Sequence, residues 1–439
     1  MMYINRTNQN QLFSAFESSF ITAILGPRQV GKSTLVAHYK HLHPHYLWVE
    51  LTMDSLLDRD RIDQGQLLSL IEEKAEQRLG KEPIIWVAID EAQKCPALFD
   101  QIKIIYDRFK QQHAIKFILT GSASLSLHQL SAESLAGRIQ LFYLHEFNLR
   151  ESASLQQSKP LPTLSTLEWI YHHHPTSTLP DVIAELAPFR SRLLAALNTQ
   201  LVWGGLPELF SIPEETQRIN YLGNYLHTYL EKDVRAIETI SDLHLYRKLI
   251  GILAEQTGSV RQDLRIREAL GCHAETLKKY RGFLEATLFY TEVYPYVGST
   301  LKRLIKSPKG YLVNNGLISL ITGIRDYNTL QQSGMIGHRL ENWFLKELQI
   351  WLARSTQFGQ IDFWRTANHV EVDFVVSIPP HVFPFEVTHS SQVNNQKIKH
   401  LQSFLAEEPK AKIGYYIYNG DYRYDAERRI CFLPAWSIG

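Results

Sequence analysis

Residues 26–34 read GPRQVGKST, which fits G-x-x-x-x-G-K-[ST]. That spacing builds a phosphate cradle. Gly26 and Gly31 let the backbone wrap close to an anion. The loop between them (Pro27, Arg28, Gln29, Val30) and the start of a helix turn their amides toward the phosphates. Lys32 supplies a point charge to the β- and γ-phosphates, and Ser33, followed by Thr34, places a hydroxyl for Mg²⁺. Such a site needs a second half, an acid closing another buried strand. PIIWVAIDE provides Asp90 to hold Mg²⁺ through water and Glu91 as general base for the attacking water. The polar end of IKFILTGSAS places Thr120 and Ser122 where a γ-phosphate is sensed. Arg138 in SLAGR is a candidate reader of γ-phosphate charge, in cis or from a neighbouring copy. No N-K-x-D tetrapeptide follows, so ATP is the expected nucleotide.

A second set of charges lies near the other end. In HVEVDFVVSIPPHVFPFEVTHSS two apolar runs flank a Pro-Pro turn, and each carries a carboxylate, Asp373 and Glu386. Charges in such runs are costly to bury without compensation. The run His172–His174 lacks further ligands at useful spacing and reads as a solvated loop.

The elements that must position these residues follow from the pattern. Through about residue 145, the runs FITAIL, YLWVEL, PIIWVAID, IKFILTG and IQLFYL alternate with helical stretches. Short, wholly apolar strands between helices predict a parallel sheet covered on both faces. Residues 151–240 read as a loop-rich insertion followed by a helical lid. Residues 241–315 read as three short helices and then strands, the order of a winged helix. That stretch has a local excess of basic residues, among them Lys278, Lys279 and Arg281 on the expected recognition helix and Lys302 and Arg303 in the expected wing. Such groups would meet DNA phosphates. Residues 316–439 read as a small α/β domain.

Composition sets bounds. The chain has 439 residues, a net charge of +1 and 44% hydrophobic residues, as in ordinary globular proteins of several domains. Three scattered cysteines, Cys95, Cys272 and Cys431, do not make a disulfide framework or a zinc site. No apolar run approaches the roughly 20 residues that span a bilayer, and no signal-peptide pattern opens the chain. A cytoplasmic protein without a membrane partner is expected.

Taken together, GPRQVGKST, IDEAQKCPALFDQIKIIYD, LTGSASL, SLAGR, WGGLPE, YLEKDV, SPKGYLVNNGL, ENWFLKEL, FWRTANHVEVDFVV and PFEVTHS resemble a group of prokaryotic AAA+-type P-loop ATPases with a C-terminal PD-(D/E)xK-like nuclease-fold domain. The resemblance implies an α/β fold: a P-loop NTPase core over 1–150, the insertion and lid over 151–240, a winged helix over 241–315 and a restriction-nuclease-like domain over 316–439. It implies ATP and Mg²⁺ as cofactors and leaves DNA and a second copy of the chain open as partners. In the nuclease fold, a helix carboxylate, a strand Asp and Glu-x-Lys on the next strand hold Mg²⁺ or Mn²⁺. Glu341, Asp373 and Glu386 match those positions. The motif lysine is replaced by Thr388, which carries no charge, and Lys397, Lys399 and His389 lie close enough in sequence to substitute. Three functions follow: an ATPase acting on or with DNA, an ATP-dependent nuclease, and a nucleotide-gated interaction switch with no nucleic-acid role.

Overall fold

Each apolar run of the first 146 residues becomes a strand of one sheet. The computed structural model describes residues 3–76, 84–110, 114–122, 134–155, 160–162, 165–173, 180–230, 240, 242–297, 307–354 and 359–439. The chain divides into two compact units. One comprises residues 1–146 with 286–288; the other comprises 147–285 with 289–439.

In the first unit, β1 (Ile21–Gly26), β2 (Leu47–Thr52), β3 (Ile85–Asp90), β4 (Ile115–Ser122) and β5 (Ile139–Tyr143) form a sheet in the order β2-β3-β4-β1-β5. All four pairings are parallel. β1 is buried along its whole length, as a strand covered on both faces must be. Helix α1 (Gln9–Glu17) precedes the sheet, and α2 (Lys32–Leu42) follows β1 directly. α3 (Leu56–Asp63) and α4 (Leu67–Lys74) come between β2 and β3. α5 (Ala97–Phe109) lies between β3 and β4. On α5, Leu98, Phe99, Ile102, Ile105 and Tyr106 recur at helical spacing and are buried. They pack in one core with Leu25, Val87, Ile89 and Leu119 of the sheet. Each fully buried Leu or Ile there contributes about 1.5–3 kcal/mol.

The second unit begins with helices, among them Arg190–Trp203 and Glu215–Thr228. Then come helix Leu243–Glu255, β6 (Ser259–Val260), helices Asp263–Leu270 and Ala274–Ala286, β7 (Tyr290–Pro295) and β8 (Lys309–Leu312). β8 pairs antiparallel with both β6 and β7. Lys302 and Arg303, expected in the wing, lie outside the described residues. Beyond them are helix Ile336–Arg354, β9 (Gln360–Arg365), β10 (Glu371–Ile378), β11 (His381–Val387), helix Asn395–Glu407, β12 (Gly414–Tyr418), β13 (Arg423–Asp425) and β14 (Ile430–Pro434). The sheet does not stop at the expected boundary near 315. β7 pairs parallel with β9 through Tyr294–Asp362 and Pro295–Phe363. The result is one nine-stranded sheet, β13-β14-β12-β11-β10-β9-β7-β8-β6.

Helix Asn395–Glu407 lays Ile398, Leu401 and Phe404 against Val372, Val375 and Tyr416. Helix Ile336–Arg354 puts Phe344 against Phe374 and Phe385, with ring centroids 5.9 and 5.3 Å apart. The register of β9 and β10 shifts between Val372 and Val375. A bulge of this kind redirects a side chain, and Asp373 lies within it. Among the described residues no helix is long and apolar enough to cross a membrane, and all three cysteines are free.

Candidate functional sites

The P-loop is set by three local facts. β1 ends at Gly26, α2 begins at Lys32, and Gly31 caps the helix in the left-handed region at φ 95°. Gly26 has φ 154°, and a Cβ there would lie 2.1 Å from the carbonyl oxygen of Leu144. Only glycine fits. Lys32 folds back over the loop, its ammonium donating to the carbonyls of Gly26 (2.8 Å) and Pro27 (2.7 Å). Arg6 braces the loop from outside it, donating to the Val30 carbonyl at 2.7 Å and to that of His145. No motif marks Arg6, so sequence reasoning misses it. Val30 is buried, whereas Gln29, Ser33 and Thr34 are exposed and Arg28 is half-buried.

The second half of the site meets the first. The Ser33 hydroxyl lies 3.1 Å from each oxygen of Asp90, and Thr120 donates to the same carboxylate. Parallel pairing of β3, β4 and β1 carries these residues to one end of the sheet. Glu91 follows β3 in the left-handed region at φ 53°. Gln93 joins it to the next strand, its Nε2 donating to Glu91 Oε2 (2.5 Å) and Ser122 Oγ (2.9 Å). A looped ammonium, a helix N-terminus and a hydroxyl–carboxylate pair are the donor set that ATP with Mg²⁺ requires, and these residues fit it.

Arg138 is the exception. Its carbonyl accepts from the Ile21 amide at the start of β1, the end opposite Gly26. A six-residue strand spans roughly 20 Å, so Arg138 does not reach the P-loop of its own chain. It makes a forked pair with Asp107 of α5 at 2.8 and 2.9 Å. Guanidinium hydrogen bonding holds the Asp107 carboxyl below its usual range. Of the two settings left open for Arg138, the one within its own chain is not met, because β5 starts where β1 starts.

In the second unit the structure brings Glu341, Asp373 and Glu386 into one cluster, with Glu371 added. Two lysines stand among them. Lys397, in the first turn of helix Asn395–Glu407, donates to Asp373 Oδ2 (2.8 Å), Glu386 Oε2 (2.7 Å) and the Val387 carbonyl (2.9 Å). Lys309 of β8 lies 3.1 Å from Glu341, 2.6 Å from Glu371 and 3.7 Å from Asp373 Oδ1. Tyr311 donates to Glu341 at 2.6 Å. Burial opposes both lysine charges, but the surrounding carboxylates outweigh it and hold both ammoniums charged, with pKa values above the usual range. Asp373 is likewise buried, yet Lys397 and Lys309 pull it below the ordinary carboxyl range. Burial, and then the Asp373 charge, push Glu386 well above it. Burial also raises Glu341, against the pull of Lys309.

The three carboxylates expected to form a metal site, Glu341, Asp373 and Glu386, do come together, and Lys397, one of the cations expected to reach back toward them, stands between Asp373 and Glu386. Among the described residues no group of three or more His, Cys, Asp or Glu is arranged to hold a metal ion. The carboxylates converge, but on ammonium groups. Thr388 is spent on the amide of Ser390, and His389 on Tyr327. Lys309 and Glu371 were not legible, because only the pairing of distant strands places them.

Of the basic residues in 241–315, Arg281 is buried in pairs with Asp263 and Glu292, and Lys309 is buried in the cluster above. Arg265, Lys278 and Lys279 are exposed. His172 is exposed at the end of helix Thr166–His173, and His174 lies outside the described residues.

With this geometry in place, comparison with known proteins adds the class. Residues 18–153 match the family described as an AAA domain. Residues 194–328 and 336–438 match two families, each described as a domain of unknown function. The AAA-domain match thus covers the five-stranded parallel sheet and the P-loop of the first unit. Over its whole length the chain is similar to an uncharacterized protein of Mycobacterium bovis and one of Mycobacterium tuberculosis. Each is 24% identical over 439 residues, a match spanning 100% of this chain and 85% of the relative. Among solved structures, the RuvB Holliday junction branch migration motor of Thermotoga maritima matches at 15% identity and a TM-score of 0.30, over 66% of this chain and 90% of that one. The Pif1 helicase of Candida albicans matches at 16% and 0.26, over 34% of this chain and 42% of the helicase. Likenesses this weak carry no functional weight.

Proposed function

We propose that this chain binds and hydrolyses ATP with Mg²⁺ and couples the cycle to work on or with DNA. One observation carries the first part: the Ser33 hydroxyl meets Asp90 beside the loop on which the Lys32 ammonium is folded. Lys32 exchanges its loop carbonyls for phosphate oxygens. Ser33 and Asp90 would hold Mg²⁺, which would supply neutralisation of phosphate charge. Glu91, oriented by Gln93, accepts the proton of the attacking water. Ser122, at the other end of the Gln93 bridge, links that base to β4. Exposed Lys278 and Lys279, on the helix at the recognition position, support the DNA part. The test is ATP turnover, with and without DNA, by the wild-type chain and by Lys32→Ala. Turnover should be lost in the variant while the fold survives. A wild-type chain that binds ATP and never turns it over would leave a nucleotide-gated switch instead.

A further inference from the structure

Glu341, Asp373 and Glu386, the residues that the resemblance matched to nuclease metal ligands, cluster with Glu371 around two lysines, and the lysines decide what the cluster does. Lys397 uses all three of its N–H groups on Asp373, Glu386 and the Val387 carbonyl, at 2.7–2.9 Å. Two acids and a main-chain carbonyl form the kind of oxygen set that binds a hard divalent ion. Here all three oxygens accept from one ammonium, so the place a divalent ion would take is filled by Lys397. Lys309 takes the neighbouring position among Glu341, Glu371 and the second oxygen of Asp373. Asp373 therefore bridges two cations, one on each oxygen.

Helix energetics do not explain Lys397, since a cation in the first turn opposes the helix dipole. The acids are what hold it there. Nor do they lack a cation: Lys397 serves Asp373 and Glu386, and Lys309 serves Glu341, Glu371 and Asp373. A divalent ion would have to expel an ammonium that is itself bound by carboxylates.

We propose that Lys397 and Lys309 are built-in cations that replace the divalent ions of a nuclease-like centre, so that the domain binds no metal there and cuts no phosphodiester. Lys397 is the plug, and its removal opens a divalent site. This does not rest on the ATPase reading, because the cluster lies in the other unit.

The test is Mn²⁺ titration of the EDTA-treated full chain, without nucleotide, read as the loss of free Mn²⁺ signal in electron paramagnetic resonance. All samples carry Asp90→Asn to remove the P-loop acid. The parent should bind no Mn²⁺. Lys397→Ala should bind one equivalent, with a melting temperature that Mn²⁺ raises, and adding Glu386→Gln should abolish both effects. A parent that binds one Mn²⁺, lost on Asp373→Asn, overturns the proposal. So does a folded Lys397→Ala chain that binds none. If Lys397→Ala does not fold, Lys397→Gln takes its place under the same two criteria.

Discussion

Replacing Lys309 with Met keeps nearly the same volume and removes one buried charge. The side chain is only 4% exposed, and its ammonium faces three carboxylates at 2.6, 3.1 and 3.7 Å. With an effective dielectric near 20, each contact has a gross attraction of roughly 5 kcal/mol, most of it offset by desolvation. What the variant exposes is different: buried carboxylates without their cation, a loss of about 3–5 kcal/mol. At about 2 °C per kcal/mol for a unit of this size, the melting temperature should fall by roughly 6–10 °C near neutral pH. The pH dependence has a definite sign. The wild-type lysine has a raised pKa, so its contribution is complete at every pH below that of a free lysine. Asp373 has a depressed one, so its contribution holds above the ordinary carboxyl pKa, about 3.9, and is lost as pH falls through the folded value. In Lys309→Met the acids lose their cation and take up protons more readily, so the deficit should shrink as pH falls from 8 toward 4. Thermal unfolding of both chains across that range is the assay. A deficit under about 1 kcal/mol at pH 8, or one that grows on acidification, would refute the assignment of Lys309 as the internal counter-ion.

Two further outcomes are expected. Gly26→Ala should abolish nucleotide binding, because a Cβ 2.1 Å from the Leu144 carbonyl forces the loop away from β5; a fluorescent ATP analogue bound with wild-type affinity would contradict that. Replacing Lys278 and Lys279 with Gln should weaken DNA binding and lower the salt slope by about 2, one unit per lost phosphate contact. A slope unchanged by both substitutions would remove this helix from the interface.

The P-loop half of the molecule was legible because its information is local. Strand, glycines, lysine and helix are contiguous in 21–42, and the observed strands differ from the apolar runs by only a residue or two at their ends. Asp90 was legible for a related reason, since an acid ending an apolar strand has few other readings. Whether Arg138 could act in cis was not legible, because a residue before a strand can lie at either end of the sheet until the strand's direction relative to β1 is known. Lys309 was hidden for a third reason. A lysine in SPKGYL looks like a surface charge until β7, β8 and β9 pair and β10 bulges at Asp373. Lys397 was within reach of the sequence as a substitute for the missing motif lysine, but which acceptors its three protons would find was not.

The pairing of β7 with β9 also bears on how this chain can be dissected. Cutting near residue 315 to study the two ends separately would not release two finished domains. It would leave the donor and acceptor rows of β7 and β9 unmatched, and raw strand edges invite pairing with other chains. It would also part Lys309 from Glu341, Glu371 and Asp373. Fragments made at that seam should aggregate, whereas one running from 242 to 439 keeps the sheet whole.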